Sequence, residues 1–186
     1  MQTPLGLIAR LPIRTGRLTL QPLVIEHLPA LAAMLADPVV MRYFPRPMTW
    51  SESLIWLRRN LERYRHDGSG LFAVVRHDDD EARLIGDCGL VVRNFGGGTR
   101  VELGYHLARD VWGQGLATEA ARACVALAFA ASDVPAVVAL IRPENRPSQG
   151  VARRVGMQPL GAVLHVGLVH DVWHITREAF ARLALQ

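Results

Sequence analysis

The segment from residue 99 to 141 constrains the fold more than any other part of this 186-residue chain. Apolar and polar residues alternate over 99–107, a pattern typical of a strand with one buried face. Small and apolar residues recur at helical spacing over 116–131, and 136–141 is a short run rich in β-branched residues. A strand, a helix and a strand joined this closely predict a right-handed crossover between two parallel, adjacent strands.

The rest of the chain predicts an α+β protein. Its central sheet should be mixed but mostly antiparallel, with about seven strands and with helices on both faces. A capping box formed by Thr49 and Glu52 marks the start of one helix, and Gly68 lies beyond its end. Turns are predicted at 77–81 and 95–98. The other predicted strands are 17–22, 71–76, 84–92, 157–166 and 168–176, and the other predicted helices lie at about 28–35, 148–155 and 177–185.

Length and composition favour one globular domain that spans residues 1–186. Half of the residues are apolar and a fifth are charged. The longest apolar run, which ends at residue 131, is too short to cross a bilayer, so no membrane partner is expected. Residues 1–10 lack the pattern of a secretory signal, and we therefore expect a cytoplasmic protein, either a monomer or a homodimer.

The charged residues and cysteines exclude several function classes. All 21 basic side chains are arginine, and the net charge of +4 is spread along the chain. A nucleic-acid-binding surface normally has a denser stripe of positive charge, so this distribution disfavours nucleic-acid binding. It is compatible with binding of a small polyanion. Cys88 and Cys124 are expected to be buried free thiols. His170 and His174 are four residues apart on a predicted strand, where their side chains do not converge, so we expect no metal site.

Gly113 and Gly115 stand between a predicted strand and a predicted helix. Unpaired backbone N–H groups and the positive end of the helix dipole meet at such a position, which favours an anion. Glycines allow close approach of the backbone, so the main-chain N–H groups of the loop 112–117 could bind a pyrophosphate. Two glycines are also compatible with a simple turn between strand and helix. It is not a Walker loop, because no Lys follows, and Thr118 stands where a dinucleotide fold has its third Gly.

Several motifs together resemble the GNAT superfamily of acetyl-CoA-dependent N-acetyltransferases, and in particular its RimJ/RimL-like branch of ribosomal-protein amino-terminal acetyltransferases. The resemblance covers nearly the whole chain. Its motifs are Val101-Glu-Leu-Gly-Tyr-His-Leu107, Trp112-Gly-Gln-Gly-Leu-Ala-Thr-Glu-Ala120, Asn145-x-x-Ser148 and Arg154-Val-Gly-Met157, with further matches at 15–20, 84–89 and 171–178.

The resemblance implies that acetyl-CoA is the co-substrate and that no metal takes part. It places the pyrophosphate on backbone N–H groups of the turn and pantetheine where the 99–107 and 136–141 strands splay apart. Asn145 is alternatively a helix cap. The coenzyme-binding residues implied are Leu107, Trp112, Gly113, Gln114, Gly115, Leu116, Ala117, Thr118, Asn145 and Ser148.

Two departures from the family accompany the match. Asp110 stands where relatives often carry Arg or Gln. Ala152 stands where many relatives carry the Tyr that protonates the departing thiolate. The proton donor is therefore unassigned, with Ser148, water or no donor as the alternatives.

Glu102 and His106 fall on the polar face of the strand at 99–107. They are about 13 Å apart in a regular strand, too far to form one dyad, but either can relay a proton through water. Glu102 matches the family's strand acid and is favoured as the base; its alternative role is a structural carboxylate, and that of His106 is a packed or surface side chain. Trp50, Trp56 and Tyr43 lie near the helix where the family builds its acceptor wall, with Trp56 the stronger candidate for a core aromatic.

The expected function is transfer of an acetyl group from acetyl-CoA to a primary amine by direct attack in a ternary complex. The acceptor is a protein N-terminal α-amine or a small-molecule amine. A non-catalytic acyl-CoA-binding regulator is the alternative, since Ala152 removes the usual acid. An arginine-rich nucleic-acid module is the third possibility.

Overall fold

The computed structural model describes residues 5–79, 82–95 and 97–183. Within these ranges the chain forms an 8-stranded sheet flanked by α-helices. The elements in chain order are β1 (Ile13–Arg14), β2 (Leu18–Gln21), α1 (Leu28–Ala36), α2 (Trp50–His66), β3 (Gly70–Arg76), β4 (Leu84–Phe95), β5 (Gly98–Leu107), α3 (Leu116–Ala131), β6 (Ala136–Ile141), α4 (Arg146–Val155), β7 (Gln158–His165), β8 (Leu168–Thr176) and α5 (Arg177–Leu183).

The strand order is β1-β2-β3-β4-β5-β6-β8-β7, and all neighbours are antiparallel except β5 and β6. β5 and β6 pair at Val101 with Val137 and at Glu102 with Val138. Past these pairs the two strands separate, although each stays paired on its other edge with β4 or β8. The predicted parallel crossover and the splay between the two strands are both confirmed.

Helices cover both faces of the sheet, as predicted. α1 and α2 pack on one face, where Leu31, Leu35 and Leu57 form a core with residues of the sheet. α3 and α4 lie on the opposite face over the larger core. Ala120 and Cys124 are fully buried, and such small side chains allow the α3 backbone to lie close to the strands.

The sheet has eight strands rather than the seven that were predicted. The additional strand is β1, whose two residues pair with Thr19 and Leu20 of β2. Two residues are too few to show an alternating pattern, so this strand was not predictable from periodicity. α4 also begins at Arg146, earlier than the predicted start at residue 148, because Asn145 caps it.

Other boundaries agree with the sequence. The Thr49 and Glu52 capping box starts α2, as predicted. Cys88 and Cys124 are buried free thiols with sulfurs 3.6 Å apart, and burial raises the pKa of Cys88. Parts of the predicted turns at 77–81 and 95–98, and the end of the predicted helix 177–185, lie outside the described residues. No helix in the described part of the chain is long and apolar enough to span a membrane.

Candidate active site

The turn between β5 and α3 is built around two glycines with left-handed backbone conformations. The φ angles of Gly113 and Gly115 are 76° and 77°. L-amino acids other than glycine rarely adopt this region, so the sequence places glycine at both positions. Trp112 anchors the turn, because its Nε1 donates a 2.8 Å hydrogen bond to the backbone oxygen of Leu107 at the end of β5.

The backbone N–H groups of residues 113–118 have no hydrogen-bond acceptor among the described residues. Gly115 caps α3 without any side-chain hydrogen bond, and the first helical bond that crosses the cap runs from the N–H of Glu119 to the Gly115 oxygen. The Leu116 side chain is buried in the core. The prediction of unpaired donors here is confirmed, and the helix dipole adds to their attraction for an anion.

Two arginines from distant parts of the chain contact the same turn. Nη1 of Arg17 donates to the backbone oxygen of Gln114 at 2.9 Å, and Nη1 of Arg76 donates to its side-chain oxygen at 3.0 Å. Each guanidinium also pairs with a carboxylate, Arg17 with Glu119 and Arg76 with Asp78, so the positive charge that each places beside the unpaired N–H groups is partly balanced. Sequence reasoning did not assign either arginine to the site.

Glu119, in the first turn of α3, holds Arg17 in place. Its carboxylate accepts from Nε of Arg17 at 2.7 Å, from the Arg17 backbone N–H at 2.8 Å and from the Thr15 hydroxyl at 2.6 Å. Burial by itself raises the pKa of Glu119, but the hydrogen bonds from Thr15 and Arg17 outweigh it, and the net pKa is lowered. The carboxylate therefore stays charged and ties the β1–β2 region to the turn.

The start of α4 lies across the splay from β5. Oδ1 of Asn145 accepts the Ser148 N–H at 3.1 Å, so the helix-cap role predicted as an alternative is confirmed. The hydroxyl of Tyr105 donates to the backbone oxygen of Ser148 at 2.9 Å.

The two positions that depart from the family pattern are Ala152 and Asp110. Ala152 is fully buried, and its side chain has no proton to donate. Asp110 forms an exposed ion pair with Arg83 at 3.3 Å.

Glu102 and His106 lie on the same face of β5. The pairing of β4 with β5 runs without a register shift, so the alternation that predicted this arrangement holds. Each side chain has its own partner. Nε of Arg93 donates to Oε2 of Glu102 at 2.7 Å, while Nδ1 of His106 lies 2.7 Å from Oδ1 of Asp87.

Asp87 is a fully buried carboxylate that sequence reasoning missed. It stands opposite His106 in the β4–β5 register, and its Oδ2 also accepts Nε1 of Trp56 at 3.2 Å. The imidazole contacts the rings of Phe44 and Trp56, with centroids 5.2 and 5.6 Å away. An aspartate within the apolar run of β4 was the available signal, because a buried carboxylate requires a partner.

The electrostatics of His106 follow from these neighbours. Burial lowers the pKa of the imidazole, but the charge of Asp87 and its hydrogen bond outweigh burial, and Glu102 adds to them, so the net pKa is raised. A raised pKa means that this imidazole binds a proton more tightly than a free histidine does.

The remaining candidates lie at the edges of this region. Trp56 is half-buried and packs against the core, as expected, whereas Trp50 is 56% exposed. Tyr43 stacks with Arg42. Nδ1 of His170 contacts the Leu168 oxygen. The described residues contain no group of three or more His, Cys, Asp or Glu side chains placed to hold a metal.

A cavity of about 670 Å³ lies between α1 and the start of β4 and extends to Arg109 and Asp110, just before the turn.

A splayed parallel strand pair is followed by an uncapped helix whose first N–H groups are unpaired, an arrangement that can hold an anionic ligand between strand and helix. Residues 17–158 match the family model of the acetyltransferase (GNAT) domain. The chain therefore belongs to the GNAT family and is an acetyl-CoA-dependent acetyltransferase.

Individual proteins and solved structures resemble this chain. The uncharacterized protein YkkB of Bacillus subtilis is 34% identical over 121 residues, which cover 65% of this chain and 69% of that protein. An acetyltransferase structure from Agrobacterium tumefaciens matches with a TM-score of 0.78 and 26% identity, over 90% of this chain and 95% of that one. Mycobacterium smegmatis RimJ, in complex with CoA-disulfide, shares the fold with a TM-score of 0.70 and 21% identity, over 90% of this chain and 88% of that one.

Proposed function

We propose that this enzyme transfers the acetyl group of acetyl-CoA to a primary amine, by direct attack of the amine in a ternary complex. The observation that carries the proposal is the set of unpaired N–H groups of residues 113–118 beside the splay of β5 and β6. The acceptor class is an α-amine, either a protein N-terminus or a small molecule.

The coenzyme binds along the splay. Its pyrophosphate accepts hydrogen bonds from the N–H groups of 113–118, with Arg17 adding positive charge beside Gln114. Its pantetheine arm lies between residues 103–107 of β5 and 139–141 of β6, where the facing strand edges are not paired with each other. Leu107 and Trp112 border the turn, and Ser148 borders the splay from α4. Asn145 uses its oxygen as a cap, which leaves its amide nitrogen available to the coenzyme.

The chemistry requires a neutral amine and a leaving thiolate. The amine nitrogen forms a bond to the thioester carbon, the carbon–sulfur bond breaks, and a proton must leave nitrogen while another reaches sulfur. Neutralising an α-amine at pH 7 costs about 1.4 kcal/mol, against about 4.6 kcal/mol for a lysine. An α-amine is therefore the acceptor that needs the least assistance, and Glu102 and His106 lie on the face that can receive its proton.

A second candidate function is an acyl-CoA-binding regulator without turnover. It is favoured by one observation, the fully buried Ala152 at the position of the usual acid. The two functions share the binding step and differ in the chemical step, so one assay separates them.

The test is release of free thiol from acetyl-CoA with a panel of α-amines, ε-amines and amino-terminal peptides. The proposal predicts thiol release that depends on an α-amine. Calorimetric binding of acetyl-CoA without thiol release by any amine supports the regulator instead. Absence of binding to acetyl-CoA and coenzyme A contradicts both.

A further inference from the structure

We propose that Asp87 and His106 act as one proton-carrying pair in acyl transfer, with Asp87 as the positioning residue. Nε2 of His106 takes the proton from the amine nitrogen and delivers it to the sulfur of the departing thiolate. This inference rests on the proposed function.

The first support is the burial of Asp87. Its side chain is fully buried, and a buried carboxylate is strongly destabilising unless a positive group or several donors compensate it. Its hydrogen-bond partners among the described residues are Nδ1 of His106 at 2.7 Å and Nε1 of Trp56 at 3.2 Å. Of these two, the imidazole alone can carry a positive charge. The carboxylate is thus placed to stabilise an imidazolium.

The second support is the orientation of the imidazole. An ionised carboxylate accepts hydrogen bonds and donates none, so Nδ1 of His106 must carry a hydrogen toward Asp87. In the neutral ring Nε2 is then the acceptor. Nε2 has no hydrogen-bond partner among the described residues, and the rings of Phe44 and Trp56 contact the imidazole and restrict its rotation. The pair therefore presents an unoccupied proton acceptor.

The third support is the position of His106 along β5. β5 and β6 are paired at Val101 and Glu102 and have separated by residue 106. His106 therefore stands on the portion of β5 that borders the open splay, where the proposed function places the pantetheine arm. Glu102 stands at the closed end of the same splay, with Oε2 bonded to Arg93.

The proposed step is balanced in atoms and charge. As the nitrogen–carbon bond forms, Nε2 of His106 removes the proton from nitrogen, and Asp87 stabilises the resulting imidazolium. As the carbon–sulfur bond breaks, the imidazolium returns this proton to sulfur, giving a neutral thiol and a neutral imidazole. One side chain thus serves as base and then as acid. No separate proton donor is needed at Ala152.

The groups that face the pair define its pH dependence. Asp87 from β4 and Glu102 from β5 are the carboxylates that act on His106, while Phe44 and Trp56 are uncharged. Tyr64 lies near Asp87, and burial raises the pKa of its phenol, so it stays neutral. Because the imidazole must be neutral to accept a proton, kcat/KM should fall as the pH decreases through the pKa of His106, in addition to the fall that protonation of the amine itself causes.

The decisive experiment compares three variants, with kcat/KM measured from pH 5 to 9 and the His106 pKa measured by NMR. Asp87→Asn keeps the shape and removes the charge, so the acidic limb should move to lower pH by about one unit and the plateau should fall by about tenfold to 100-fold. His106→Gln should erase the part of the acidic limb that belongs to the enzyme, leave the part that belongs to the amine, and lower kcat by about 100-fold. Glu102→Gln should keep the limb, with a small shift to lower pH.

Calorimetry with acetyl-CoA separates folding from chemistry, because the variants should bind the coenzyme as the parent enzyme does. An Asp87→Asn variant with an unshifted limb and an unshifted His106 pKa overturns the inference, as does full activity of His106→Gln. Loss of the limb in Glu102→Gln alone assigns the base to Glu102 instead. If Asp87→Asn does not fold, His106→Gln decides the question. Absence of turnover in the parent enzyme contradicts the proposed function itself.

Discussion

The hydroxyl of Tyr105 donates a 2.9 Å hydrogen bond to the backbone oxygen of Ser148, joining β5 to α4 across the gap where β5 and β6 have separated. Burial raises the pKa of Tyr105, so its phenol remains a neutral donor through the working pH range. This contact holds α4 beside the splay that the coenzyme is proposed to occupy.

Removing this hydroxyl should destabilise the protein. Tyr105→Phe keeps the ring and removes the phenol donor from the Ser148 oxygen, so we expect a loss of about 1 kcal/mol in the free energy of unfolding, measured in urea. Tyr43→Phe is the matched control, because the Tyr43 hydroxyl has no hydrogen bond among the described residues. Equal stability of Tyr105→Phe and the parent protein would show that the contact contributes nothing.

Gly113→Val should weaken acetyl-CoA binding with the fold retained. No heavy atom lies within 4 Å of the position a Cβ would take at Gly113, so the substitution acts through its left-handed backbone rather than through a clash. A side chain in this region costs about 1–2 kcal/mol, and reshaping the turn displaces the N–H donors. We expect the KM for acetyl-CoA to rise by about tenfold or more.

Gly167→Val is the control for this experiment. Gly167 has a φ of 73° and equally open surroundings, but it lies in the β7–β8 turn. It should lower stability to a similar degree and leave the KM for acetyl-CoA unchanged. An equal rise in KM for both variants would attribute the effect to general destabilisation and remove the glycine turn from the binding site.

Arg17→Met should raise the KM for acetyl-CoA and leave kcat nearly unchanged. The guanidinium of Arg17 lies against Gln114, but its side chain is 53% exposed, so solvent screens its charge. We expect a rise of about threefold to tenfold that becomes smaller at high salt. Arg83→Met, which removes an exposed arginine paired with Asp110 instead, should show no such change. An unchanged KM in Arg17→Met would separate this arginine from the coenzyme.

Glu119 should make stability depend on pH below neutrality. Its pKa in the folded state lies below the ordinary value of 4.5, so the stabilisation is complete above that value and is lost as the pH falls through the folded pKa. Glu119→Gln should therefore lower the urea midpoint at pH 7, and the difference from the parent protein should shrink toward pH 3. Glu62→Gln, at an exposed position of α2, should change neither. A difference that is constant with pH would contradict the role of this carboxylate.

Features with local causes were predictable from the sequence. The start of α2 follows from the side chains of Thr49 and Glu52, which satisfy N–H groups within the same turn. The glycine turn and the crossover through α3 follow from backbone requirements and periodicity in one continuous segment. The face shared by Glu102 and His106 follows from strand alternation alone.

Features set by contacts between distant segments were not predictable. Asp87 and His106 are separated by 19 positions and meet through the register of β4 with β5, which no local pattern specifies. Arg17 reaches the turn because Glu119, 102 positions away, holds it there. The two-residue strand β1 exists because β2 offers it an edge. In each case the position of the residue depends on a contact with a segment distant in the sequence, and the residue type alone does not reveal that contact.

The central claim is that backbone N–H groups of residues 113–118 bind the pyrophosphate of acetyl-CoA. Its most direct test is a titration of the ¹⁵N-labelled protein with coenzyme A, followed by amide chemical shifts. We expect the largest changes at residues 113–118, saturating together with the calorimetric binding curve. Saturable binding with these amides unchanged, and the shifts confined to other parts of the protein, would contradict the claim.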